Sequence, residues 1–241
     1  MITLLRRIRR KLIIEGSLKR YLLYAIGEIL LVVIGILIAL QINAWNEWRK
    51  DRVKEKLILN GLVKNIEINI QAILNDIDQL EKWSQSSEIV IFALENKLDY
   101  SDTLRQHFHL ARITKQDLFL SNFGYKSYEN QGLDIITNQD LSSEIIVLYE
   151  TTIPGTLSTN SLVNEMYPPF DNHIVQNFDF IVGYSEAEGL TPNDYKALFS
   201  DHFYISWIKA YKQGRNYLIE TDKELIKECE RILKLIQDEL E

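Results

Sequence analysis

From Tyr21 to Ile42 the chain runs 22 residues with a single formal charge, Glu28. At helical rise such a run spans about 33 Å, enough for a hydrocarbon core of about 30 Å. No other feature narrows the possible folds as far. Lipid offers the backbone no hydrogen bonds, so a lone spanning segment must be a helix. Tyr21, Tyr24, Trp45 and Trp48 bracket the run as interfacial aromatic residues do. Lys19 and Arg20 flank one end; Arg49, Lys50 and Arg52 flank the other. The run is too long for a cleaved signal peptide and no clear A-x-A site follows it, so the sequence predicts an uncleaved signal anchor.

Charge gives the expected orientation. Residues 1–44 carry seven Lys/Arg and two Glu, a net of +5, which leaves −12 on the rest of a chain whose total is −7. Seven cations precede the span and five lie in residues 45–56. That bias favours a cytoplasmic N-terminus and a periplasmic body at the inner membrane. The expected organisation is a basic cytoplasmic segment at 1–20, a transmembrane helix at 21–44 and an extracytoplasmic helical domain at 45–241. A basic head suits anionic lipid, and an acidic body does not suit nucleic acid. In residues 2–13, Ile2, Leu5, Ile8, Leu12 and Ile13 recur at helical spacing with Arg and Lys between them. An interfacial amphipathic helix and a plain topology signal both fit that pattern.

Glu28 is the anomaly in the span. At about 100° per residue its side of the helix also holds Tyr24, Ala25, Gly35, Ala39 and Asn43, with Leu31, Val32 and Ile42 among them. Gly35 and Ala39 form a small-xxx-small pair that lets two helices approach closely. The preferred reading is a helix-contact face made of Tyr24, Ala25, Glu28, Gly35, Ala39 and Asn43, with Glu28 pointing into a partner protein or a second copy of the chain. A carboxyl that reaches headgroup water, or one coupled to protons, are the alternatives.

The segment "KRYLLYAIGEILLVVIGILIALQINAWNEWRK" resembles the N-terminus of a family of uncharacterised single-pass membrane proteins from Gram-negative bacteria that carry a domain-of-unknown-function label. The shared motif falls here at Tyr24–Glu28, Gly35–Asn43 and Trp45–Glu47, with Ala44 where the family has Asn. A looser likeness covers "SYENQGLDIITNQDLSSEIIVLY" through Tyr128, Gly132, Asn138, Leu141, Ile145 and Tyr149. The resemblance implies the anchor and implies no activity.

The body reads as all-α. Ten Gly and four Pro are few for 241 residues, which argues for long helices rather than a turn-rich sandwich. Leu59, Val63, Ile66, Ile70, Ile73, Ile77 and Leu80 step four and three, an a/d seam over three heptads. It suits an intramolecular bundle or an intermolecular coiled coil. Ile226, Cys229, Leu233, Ile236 and Leu240, widened by Leu225 and Ile232, make a matching C-terminal stripe. The economical arrangement continues the transmembrane helix into the first seam and packs the C-terminal helix antiparallel to it, returning towards the membrane. Between them the sequence predicts a helix capped at Ser101 or Asp102 and running to about Ile113. It predicts another over 122–131 stopped by Gly132, and one capped at Asn138 or Asp140 and broken or kinked at "IPG" 153–155. Thr191 and Pro192 in "GLTPNDY" read as a helix start. "FDFIVGY" at 178–184 reads as a strand without an obvious partner.

Little points to chemistry. His107 and His109 stand two apart, which on a helix keeps them from sharing a metal. His173 and His202 are far from each other, and nothing in the sequence joins them to Asp171 or Asp201. No phosphate loop, nucleophile elbow or zinc motif is present, and the only cysteine, Cys229, falls on an apolar stripe. The expectation is no enzyme, no metal and no cofactor. Phe123, Tyr125 and Tyr128 could line a ligand pocket, with core packing preferred. The function expected is an assembly or protein-interaction component. A periplasmic small-ligand receptor that signals through a partner membrane protein is the alternative.

Overall fold

The computed structural model describes residues 18–113, 118–165, 168–181 and 189–241. The pattern at residues 2–13 and the side chains of Tyr21 and Tyr24 lie outside the described residues. Helix α1 runs Leu18–Glu95, 78 residues without a break, in a stretch that contains no proline. It ends in a Schellman closure: Leu98 N–H bonds Ala93 O at 3.0 Å and Lys97 N–H bonds Leu94 O at 3.2 Å. Lys97 takes φ 48° to make that turn.

The chain divides into two units, one up to Glu55 and one from Lys56 to Glu241. In the first, every side chain from Ile29 to Lys50 is exposed. Among the described residues α1 is the helix long and apolar enough to cross a membrane, and none of its most apolar stretch is buried. An unbroken apolar surface of that extent is a candidate membrane span or signal anchor.

The second unit is a helical body. After α1 come α2 (Leu104–Arg112), α3 (Phe123–Gln131) and α4 (Gln139–Val147). A π turn at Leu148–Thr152 joins α4 to α5 (Ile153–Glu165). Helix α6 (Pro168–Asn177), strands β1 (Phe178–Ile181) and β2 (Gly189–Pro192), a 3-10 turn at Ala197–Ser200 and α7 (His202–Leu240) complete it. The last forty residues of α1 and the whole of α7 form an antiparallel spine. Lys56 Nζ reaches Leu240 O at 3.2 Å, Ser84 Oγ meets Asn216 Oδ1 at 2.8 Å and Lys209 Nζ meets Glu95 at 2.6 Å. One apolar cluster joins this spine to α3–α5, and a second joins it to α2, α6 and the hairpin.

The seam is intramolecular, but its register differs from the expected one. The innermost line on α1 is Leu59, Leu62, Ile66, Asn69, Ile73, Asp76, Leu80, Trp83, Ser87, Val90 and Leu94, stepping three and four throughout, and Leu59, Ile66, Ile73, Ile77 and Leu80 of the expected seam are buried. Val63 and Ile70 are only half-buried. On α7 the buried line is Tyr204, Ile208, Tyr211, Arg215, Leu218, Asp222, Leu225, Cys229, Ile232 and Ile236. Ile226, Leu233 and Leu240 flank it half-buried. The central line passes through polar residues because those residues are hydrogen-bonded or face one another inside the bundle. A pattern of apolar residues alone follows the flanking line instead.

Other expectations also change. Thr191 and Pro192 lie in β2, where Thr191 pairs with Asp179 and Pro192 with Phe178. Proline lacks an N–H but fits the end of an edge strand. This gives the 178–181 strand its partner. Helix α2 starts after Thr103 rather than at Ser101 or Asp102, and Ser101 Oγ instead accepts from Thr103 N–H at 3.4 Å. The break at "IPG" is a widened turn. Pro154 cannot donate, and its ring crowds the carbonyl four residues before it, so the helix shifts register ahead of it and continues. Gly132 stops α3 with φ 99°, and Asn138 caps α4 by accepting from Leu141 N–H at 3.1 Å.

Candidate functional site

In the first unit the expected contact face lies along one helical stripe. Ala25 and Glu28 are half-buried, and Gly35, Ala39 and Asn43 are exposed. Gly35 has nothing within 4 Å of where a Cβ would stand, so the small-residue notch is open. Asn43 Nδ2 reaches Glu47 Oε1 at 3.4 Å along the same helix. Tyr24 lies on the helical backbone of that stripe.

The expected aromatic trio separates. Tyr125 and Tyr128 are core, 3% and 0% exposed, whereas Phe123 is 78% exposed. Tyr125 stacks on Tyr149 with centroids 4.8 Å apart, and burial pushes its hydroxyl up to about 12. Tyr128 hydroxyl bonds Ser142 Oγ at 2.6 Å and donates to Leu133 O at 2.8 Å. Phe123 turns outward because the next residue, Gly124, is pressed onto α1. A Cβ on Gly124 would stand 2.8 Å from Asn65 Cβ and 2.9 Å from Gly61 O. These three residues therefore form no common pocket.

The polar chemistry of the body sits inside the seam. Asn69 pairs both ways with the backbone of Ser121, donating to its carbonyl at 2.8 Å and accepting from its N–H at 2.7 Å. Asn65 Oδ1 accepts from Gly124 N–H at 3.0 Å and from Tyr149 hydroxyl at 3.1 Å. Together they dock the loop before α3 on α1. Arg215, 5% exposed, spreads its guanidinium over four neutral oxygens. It donates to Trp83 O (2.9 Å), Ser87 Oγ (2.7 Å), Ala111 O (2.7 Å) and Ile113 O (2.6 Å). The last two are carbonyls at the C-terminal end of α2, where a cation is favoured. Arg215 thus ties α1, α2 and α7 at the junction of the two apolar clusters.

One heptad along from Arg215, Asp222 is fully buried. The register set by Ser84 and Asn216 places Asp76 level with it across the seam, and Asp76 is 4% exposed. Asn160 on α5, 5% exposed, closes the third side. Burial raises both carboxyls. Asp222, with the Asp76 charge added, is pushed up to about 7. Asn160 comes close enough to favour the charged form of Asp222. Yet neither amide atom of Asn160, nor either carboxylate oxygen of Asp222, completes a hydrogen bond.

Two further features are smaller. His173 Nε2 meets Asp201 Oδ2 at 2.7 Å, and Asp201 also caps α7 by accepting from Tyr204 N–H at 2.9 Å. The sequence separation of 28 residues hid this pair. His107 bonds Ser86 Oγ at 3.2 Å, and burial lowers its affinity for a proton. Among the described residues no group of three or more His, Cys, Asp or Glu is arranged to hold a metal. An open groove of about 380 Å³ lies between α1 and α7, lined by Glu81, Ser84, Glu88, Asn216, Glu220 and Lys223 among others.

Sequence reasoning missed Asn65, Asn69, Asp76, Arg215, Asp222 and Asn160. The signal was spacing: Asn69 and Asp76 stand seven apart, as do Arg215 and Asp222, each pair in phase with the apolar seam.

No curated protein matches the chain, and no solved structure does. One family model matches residues 28–149, a segment that opens at Glu28, takes in the Gly35–Asn43 motif and the looser likeness, and ends at Tyr149. The chain belongs to that family, a family of unknown function, DUF6090.

Proposed function

We propose that the chain is a single-pass inner-membrane protein that works as an assembly or interaction component, with its N-terminus in the cytoplasm and its helical body in the periplasm. The observation that carries the reading is the open stripe on an otherwise lipid-suited helix: Ala25, Glu28, Gly35 and Ala39 share a side, and the Gly35 notch is empty. Small residues in that pattern let a second helix approach, and a carboxyl within a helix contact is shielded from hydrocarbon. The partner is another membrane protein or a second copy of this chain. The seven cations before the span against five after it support the orientation. No catalytic step is assigned to the chain.

The test is crosslinking in native membranes, then purification of wild type, Glu28→Leu and Gly35→Leu in detergent. Loss of a crosslinked partner in both variants is expected. Unchanged association in both removes the reading. A small-ligand receptor is the second reading. The groove beside Ser84 and Asn216 favours it, although that groove is open where ligand pockets are usually enclosed.

A further inference from the structure

Two carboxyls that face each other inside a helical bundle need a positive charge between them. Asp76 comes from α1 and Asp222 from α7, at the same level of the antiparallel seam and almost wholly removed from water. Asn160 is aimed at them from α5, with both amide atoms buried and no hydrogen bond completed. Among the described residues no Lys or Arg acts on either carboxyl. On α7, Arg215 is committed to Trp83, Ser87, Ala111 and Ile113, Lys223 pairs with Glu220 at the surface, and Cys229 is the next titratable group along the buried line. On α1, Lys82 pairs with Asp78 outside the seam. The buried polar residues of α5, Thr156 and Asn160, are neutral.

We propose that Asp76 and Asp222 form a proton-binding site, holding one shared proton with Asn160 as third partner, so that packing of α1, α5 and α7 depends on its occupancy. A proton is the counter-charge that fits, because it turns one of two interacting carboxyls into a donor and needs no coordination shell. The consequence is a body that loosens as the surroundings turn alkaline. An unfolded Asp gives up its proton near pH 3.9, whereas in the fold Asp222 keeps one to about 7. The folded state therefore binds more protons than the unfolded state between those values. The stability gained is fully present below about pH 4 and is lost as the pH rises through about 7. This inference does not rest on the membrane-contact reading.

The experiment is thermal unfolding of the full chain in detergent micelles between about pH 5 and about pH 8, with infrared detection of the protonated carboxyl band. Wild type is expected to lose about 3–6 °C of Tm across that range, the size of a tenfold change in the folding equilibrium, and to lose the band over the same range. Asp222→Asn keeps a neutral hydrogen-bonding group in place. It is expected to show a smaller fall in Tm than wild type, with a Tm at least as high as wild type at about pH 8, because only the burial of Asp76 remains to titrate. If Asp222→Asn does not fold, Asp76→Asn removes the charge that adds to burial at Asp222 and is expected to move the fall in Tm and the loss of the band to lower pH; the wild-type band needs no variant. A wild-type Tm that does not fall and a band that is absent would overturn the proposal. So would a slope in Asp222→Asn as steep as in wild type. Stabilisation at about pH 8 by Na⁺, K⁺, Mg²⁺ or Ca²⁺ in wild type but not in Asp222→Asn would show that the pair holds a metal cation instead, and would also overturn it.

Discussion

Single residues set the joints of the body. Arg215 meets four oxygens from two other elements, so truncating it leaves buried carbonyls without a donor. Arg215→Ala is expected to cost about 3 kcal/mol in chemical denaturation. Arg215→Lys should recover little of that, since an ammonium cannot fork between α1 and the end of α2. Full stability in Arg215→Ala would show that these bonds are replaced by water. Gly124 presents a different constraint, one of space. With Asn65 Cβ and Gly61 O under 3 Å from its would-be Cβ, Gly124→Ala must push α3 off α1. A loss of about 1–3 kcal/mol is expected by the same measurement.

Helix ends decide where each element stops, and two can be tuned in opposite directions. Lys97 holds φ 48° in the turn that closes α1, a conformation that costs a residue with a Cβ about 1–2 kcal/mol and glycine almost nothing. Lys97→Gly is therefore expected to raise Tm by about 2–4 °C, and an unchanged or lower Tm would count against the reading. Asn138 caps α4, and its Nδ2 also reaches Glu239 at 2.6 Å. Asn138→Ala is expected to lower stability by about 1 kcal/mol and Asn138→Ser by less. At this scale sequence did well where a residue type has one local use, as at Gly132 and Asn138. It did poorly at Thr191–Pro192. There the same two residues suit a helix start or an edge strand, and the pairing with Phe178 and Asp179 decides between them.

At the scale of the whole molecule, one apolar helix and one packed body make different demands on the same probe. Cys229 lies in the seam, and burial pushes its thiol up to about 12. It should resist maleimide in the folded chain and react only on unfolding, followed by mass spectrometry. Rapid labelling under native conditions would mean that the seam opens. The silent thiol also permits a topology assay. In a Cys229→Ala background, Asp78→Cys on the outer face of α1 is expected to be labelled by an impermeant reagent once the outer membrane is breached. Labelling only after lysis would put the body in the cytoplasm.

The sequence by itself determined the long apolar helix, the all-α class, the antiparallel pairing of two heptad helices and the stop at Gly132 and cap at Asn138 between them. Each depends on periodicity or on a local conformational preference, and both are written along the chain. Only the tertiary structure decided which line of the seam is innermost, that Phe123 faces out while Tyr125 and Tyr128 face in, and that Asp76, Asn160 and Asp222 meet. A carboxyl or an amide shows its cost and its use only against what stands opposite it. For these three residues the opposite side comes from helices 62 to 146 positions away.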